Sequence, residues 1–141
     1  MKRYLLDTAP LAAYLHKREP AVTLIRPLIE KHEVATSIVV YAEVTEYIRG
    51  HPKFPQRHDE LRQLLREVYP YFLTYPILDR YAAIRRSIRP PYGKGLIGDM
   101  DTLIAATALE RHLTILTTDS DFERVPKLNF QLVNLKAPLL S

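Results

Sequence analysis

The chain contains no cysteine. That removes disulfides, thiolate zinc sites and cysteine nucleophiles together. No stretch is apolar for long enough to span a membrane, and the run in "MKRYLLDT" is broken by Asp7 before it reaches signal-peptide length. A cytoplasmic location with no membrane partner is therefore expected. The five histidines (His16, His32, His51, His58, His112) include no zinc-protease-like pair with an intervening Glu. A metal would have to use oxygen or imidazole ligands, and hard-cation carboxylate chemistry is the more natural reading. Glycine is scarce, and "YGKGLIG" has neither the glycine spacing nor the Ser or Thr after Lys94 of a phosphate-cradling loop.

What is present is an ordinary globular composition, 47% hydrophobic and 26% charged over 141 residues, which fits a single domain over 1–141. The formal charge of +4 favours a polyanionic partner without proving one. "KRYLLD" reads as a strand and "APLAAYLHKR" as a helix with Pro10 in its first turn. "AVTLIRPLIEKH" is expected as a second helix, kinked or started at Pro27. "EVATS" is a strand, and "IVVYAEVTEYIRG" a helix that starts at Thr36 or Ser37 and ends at Gly50. "RHDELRQLLREVYP" is a charged helix with an apolar stripe. "YFLTYPIL" is expected as a strand, and "DRYAAIRRSIRPP" as a helix with Asp79 as N-cap. "DMDTLIAATALERH" is a buried helix, "LTILTTD" a strand, "SDFERVPKL" a loop and "FQLVNL" a last strand. Alternation of this kind implies an α/β fold with a mostly parallel sheet between helices.

The acids carry the chemistry. Asp7 follows one strand and Asp119 another, and ligands of open parallel sheets bind outside the carboxyl ends of the strands. Each alone is a weak signal, since an Asp after a strand is more often a helix N-cap. Glu43 has an internal control: Val40, Glu43, Val44 and Tyr47 share one helical stripe, whereas Ala42, Glu46 and Arg49 share another. A charge on an apolar face needs a cation or donors, so Glu43 is either paired with an Arg or a metal ligand. Asp101 opens the buried helix on the face of Ala105 and Ala108, with Asp99 expected as N-cap; in the first turn the helix dipole alone also favours an anion. Converging carboxylates would repel unless a divalent cation sat between them. Mg²⁺ or Mn²⁺ suits such a site and would support hydrolysis of a phosphodiester. Arg85, Arg86, Arg89 and Lys94 lead into this segment and would either hold a phosphate backbone or form a solvated face.

The pieces "YLLDTAPLAAYL", "TSIVVYAEVTEYIRG" and "IGDMDTLIAATALERHLTILTTDSDFERVPKL", with the closing strand, together resemble the PIN-domain family and, within it, the VapC-like toxin ribonucleases. The resemblance implies a three-layer α/β/α sandwich and a Mg²⁺- or Mn²⁺-dependent endoribonuclease. It places the family's acids on Asp7, Glu43, Asp101 and Asp119. Thr8 and Thr117 fall on small hydroxyl positions that flank the site, with Thr8 expected to orient Asp7. Asp99 and Asp121 fall on positions that are often acidic, as supporting or capping residues. An RNA substrate, a homodimer and a small VapB-like antitoxin are implied as partners. One position departs: Ala9, followed by Pro10, stands where the family often has Asn or Ser.

An aspartyl-phosphate phosphatase needs a second Asp where Ala9 stands. A non-catalytic RNA-binding module would use the same basic surface, and a housekeeping RNA-processing nuclease the same acids.

Overall fold

The structure, a computed structural model, describes residues 1–136; residues 137–141 of the expected domain lie outside the described residues. Its elements are β1 (Tyr4–Leu6), α1 (Thr8–Leu15), α2 (Ala21–Glu30), β2 (Val34–Ser37), α3 (Ile38–Arg49), α4 (Phe54–Leu64), β3 (Tyr69–Tyr71), α5 (Tyr75–Ile88), α6 (Asp99–Arg111), β4 (Thr114–Thr117) and β5 (Phe130–Leu132). The five strands form one sheet in the order β3-β2-β1-β4-β5, and every pairing is parallel. The central strands β1, β2 and β4 are buried almost throughout, as parallel strands covered on both faces must be. Pro70, which has no N–H to give a ladder, lies on the edge strand β3.

This order also positions the site. The chain moves outward from β1 to β2 to β3 and then returns to the other side of β1 with β4. With right-handed crossovers the reversal puts α1–α4 on one face and α5–α6 on the other. The crevice where the order reverses lies beyond the carboxyl ends of β1 and β4, where Leu6 pairs with Leu116. Asp7 leaves β1 at that edge, with its backbone N–H donating to the Leu116 carbonyl at 3.0 Å. The Thr36 hydroxyl on β2 donates to the Leu6 carbonyl at 2.8 Å, which fixes the same edge from the other side.

Several local expectations are corrected. "YFLTYPIL" is not one strand: β3 ends at Tyr71, and α5 begins at Tyr75. Thr74 caps α5, its hydroxyl accepting from the Ile77 N–H, and Pro76 sits in the first turn, so Asp79 lies inside the helix rather than at its start. Buried Ile77, Ile84 and Ile88 recur at helical spacing, which decides the element. The N-cap of α6 is Gly98, and Asp99 is the first helical residue. α2 runs unbroken from Ala21, with Pro27 inside it rather than at its start. α4 begins earlier than expected, at Phe54, with a proline in its first turn. α3 does stop at Gly50, though with a φ of −79°, so glycine's left-handed freedom is not used there. Part of the loop after β4, Ser120–Arg124, is a 3-10 turn.

Candidate metal centre

Three acids from three different elements meet at the crevice. One carboxylate oxygen from each of Asp7, Glu43 and Asp101 lies within 4.8 Å of the other two. Asp7 comes from the end of β1, Glu43 from the second turn of α3 and Asp101 from the first turn of α6; α3 and α6 are in contact. The helix-face argument for α3 holds at its acids: Glu43 is half-buried at the crevice and Glu46 is exposed. Tyr47, counted with the apolar stripe, is instead 61% exposed and lines the acid cavity.

Asp7 and Glu43 are each held by a threonine hydroxyl. Asp7, only 7% exposed, occupies the N-cap position of α1 but makes no capping bond with its side chain. The Thr117 hydroxyl donates to its Oδ2 at 2.6 Å and itself accepts from the Asp119 backbone N–H at 3.0 Å. With its lone pair engaged, that hydroxyl's proton is directed at Asp7. Thr8 corrects an expectation: its hydroxyl donates to Glu43 Oε1 at 2.7 Å and does not orient Asp7. Consecutive residues at a helix start project about 100° apart, so Thr8 turns away from its neighbour and toward α3. No ion pair to Asp7, Glu43 or Asp101 occurs among the described residues, so the Arg-paired alternative for Glu43 is not what is observed.

The electrostatics follow from this crowding. Burial raises the Asp101 carboxyl to a pKa of about 6, and the charges of Asp7, Asp119, Glu43 and Asp121 push the same way. Asp7 is also raised, chiefly by burial, with Glu43 and Asp119 adding to it; the Thr117 hydroxyl and the Thr8 backbone N–H oppose the shift. A cluster of carboxylates without a counter-charge has the donor chemistry of a hard divalent cation site, and its oxygens are close enough to share one ion. The residues present therefore fit Mg²⁺ or Mn²⁺.

The other predicted residues divide. Asp119 lines the same cavity, of about 590 Å³, but stands outside the close triad. Its carboxylate caps the 3-10 turn, accepting from the Asp121 N–H at 2.8 Å, so here the cap reading is realised. The Asp121 carboxylate faces Arg124 at 3.6 Å. Asp99 neither caps α6 nor joins the triad; it accepts from the Tyr81 hydroxyl at 2.8 Å and lies 3.5 Å from Arg85. Arg85 in turn donates to the Ile97 carbonyl at 2.8 Å, which anchors the segment before α6. Arg86, Arg89 and Lys94 are exposed, and none lines the acid cavity. The basic and aromatic residues that do line it are His16, Arg18 and Tyr47. They were missed because two of them follow α1 with no motif, and only the packing of α1 on α3 brings them there.

A PIN domain sequence model matches residues 4–128. No curated protein matches the chain. Solved structures that resemble it include VapBC2 from Rickettsia felis bound to a DNA fragment from their promoter, with a TM-score of 0.81 and 22% identity over 93% of this chain and 98% of that one. DNA-bound VapBC from Salmonella typhimurium gives a TM-score of 0.80 and 16% identity over 93% and 98%. FitAcB from Neisseria gonorrhoeae gives 0.76 and 25% over 90% and 95%.

Proposed function

Because the chain belongs to the PIN-domain family, we propose that residues 1–141 form a single nuclease domain that hydrolyses RNA phosphodiester bonds with Mg²⁺ or Mn²⁺, as the toxin of a VapBC-type toxin–antitoxin pair. The observation that carries this reading is the meeting of Asp7, Glu43 and Asp101 at a strand-order reversal with no basic side chain paired to any of them. Those three residues would hold the cation, with Asp119 at the rim of the same cavity. The bound cation would supply the charge that favours in-line attack of water on a phosphodiester and offsets the charge on the leaving oxygen.

The protein's own groups prepare the site. Thr117 donates to Asp7, opposing the rise that burial imposes on its pKa, and Thr8 donates to Glu43, fixing the position of its carboxylate. Asp101, raised to about 6, holds a proton more readily than an ordinary Asp, so protons and cation compete there. A non-catalytic module would have no use for buried carboxylates without a counter-charge, since such a cluster costs stability.

The partners belong to the same reading. The solved neighbours include complexes described as VapBC and FitAcB, and we extend a small antitoxin and a homodimer to this chain. Exposed Tyr69 on β3, Phe72 and Leu73 in the connection that follows, and Tyr75 at the start of α5 offer apolar surface of the kind protein contacts cover. A cytoplasmic location is part of this reading; among the described residues no helix is long and apolar enough to cross a membrane.

The purified chain is expected to cut single-stranded RNA when Mg²⁺ or Mn²⁺ is added and to stop in excess chelator. Cleavage that persists in chelator would sink the metal mechanism.

A further inference from the structure

A second cavity, of about 540 Å³, adjoins the acidic one and shares His16, Arg18 and Tyr47 with it. His51 and Arg57 complete its charged lining, and no acid lines it among the described residues. We propose that this cavity seats the phosphate next to the scissile one in single-stranded RNA, with Arg18 and Arg57 on the phosphate and Tyr47 stacking on a base. The proposal rests on the nuclease reading above and names residues for its substrate.

Four observations support it. Two side-chain atoms of the lining residues, His16 Nε2 and Arg57 Nε, are buried without a hydrogen-bond partner among the described residues. Buried unpaired polar atoms are costly, and a phosphate oxygen brought to them by a small side-chain shift would recover that cost. Glu60 engages Arg57 through Nη1 only, at 3.3 Å, which leaves the Nε edge unused. The field is positive: beyond burial, which is the largest cause, Arg57, Arg18 and His51 hold the His16 pKa down, with Glu60 opposing them. Tyr47 is 61% exposed and meets His16 edge-on, with ring centroids 6.1 Å apart. Its ring is thus steadied from one side, and an aromatic ring beside a cationic groove is the usual platform for unpaired bases.

The test is binding of a fluorescein-labelled ten-nucleotide single-stranded RNA to the full chain in chelator, followed by steady-state cleavage with Mn²⁺. Arg57→Gln and Arg18→Gln are expected to weaken binding about tenfold each and to lower the salt slope by about 1. Tyr47→Ala should weaken binding with the salt slope unchanged, and Tyr47→Phe should restore it. In cleavage these variants should raise KM and leave kcat near wild type. Arg57→Lys, which keeps the charge, controls for folding and should fall between Gln and wild type. Arg86→Gln, outside both cavities, should bind like wild type. If Arg86→Gln loses as much affinity as Arg57→Gln, or a heptaglutamate peptide displaces the RNA at equal concentration, the subsite is overturned while nuclease activity can stand. If the RNA binds as described but is never cut with any divalent cation, the nuclease reading falls and the subsite survives.

Discussion

The acidic cavity and the cationic cavity share one wall but are built by different means. The acids sit on or directly beside hydrogen-bonded elements: Asp7 at the end of β1, Glu43 in a middle turn of α3, Asp101 in the first turn of α6 and Asp119 at the exit of β4. The Thr117 and Thr8 hydroxyls hold Asp7 and Glu43, and the Asp121 N–H holds Asp119, before any ligand arrives. The cations come from a loop after α1, the turn after α3 and the first half of α4, on long side chains with few partners. The difference teaches a division of labour. Rigid strand ends suit a centre that must hold an ion in set geometry, whereas longer, adaptable cations suit a phosphate backbone that arrives in many shapes. An acidic cavity alone would repel RNA, and the cationic neighbour would offset that repulsion beside it.

The largest effect should come from taking one acid out of the close triad. Glu43→Gln keeps the shape of the side chain and the Thr8 contact but removes a charge, so cleavage should fall at least about 100-fold with the circular dichroism spectrum unchanged. Glu46→Gln, on the exposed face of the same helix, should stay within about twofold. Equal losses would show that α3 does not separate a reacting face from a solvent face. Next is Thr117→Val, which removes the donor to Asp7 and the acceptor of the Asp119 N–H at once. Mn²⁺ affinity measured by calorimetry should drop roughly 10- to 100-fold, and Thr117→Ser should restore most of it.

A pH experiment reads the cost of burying the Asp101 charge beside the other acids. Asp101 titrates near 6 in the folded chain against 3.8 for the unperturbed group. Below the lower value both folded and unfolded chains carry the proton. As pH rises from about 4 to about 6 the unfolded chain releases it first, so the folded state loses stability relative to the unfolded one, and the loss levels off above that window. In chelator, Asp101→Asn should therefore melt higher than wild type at pH 7, and the difference should vanish near pH 4. Adding Mn²⁺ at pH 7 should raise the melting temperature of wild type more than that of the variant. A gap of the same size at both pH values would mean that the Asn stabilises by some route other than charge.

Much of this site could be read from the chain, for identifiable reasons. The acids at Asp7 and Asp119 follow short apolar runs whose ends are sharp, and Glu43 could be placed by counting along an uninterrupted helix. Three features were hidden by tertiary context. "TYPIL" carries aromatic and β-branched residues that favour a strand, yet a Thr cap and an early Pro set it into α5, where Ile77, Ile84 and Ile88 pack. The partner of Thr8 is thirty-five positions away and depends on how α1 lies against α3. Arg18 carries no local signal, and Tyr47, although it shares a helical stripe with Glu43, reads there as a core residue; only the folded arrangement puts the two on one wall.

The smallest effect sharpens the comparison from the other side of the molecule. The arginine run on α5 looks, as a sequence, like the better phosphate binder, but Arg85 is engaged by the Ile97 carbonyl and Asp99. A charged donor to a backbone carbonyl on a half-buried side chain contributes about 1–2 kcal/mol. Arg85→Gln should accordingly lower the melting temperature by a few degrees, roughly 2–8 °C for a chain of this size. Its affinity for single-stranded RNA, measured well below that temperature, should match wild type. The reverse pattern, with stability kept and affinity lost, would move the substrate path from the wall of His16, Arg18 and Tyr47 to α5. The positive charge of the α5 segment would then be functional, and the cationic cavity would be a by-product of how α1 and α4 pack on α3.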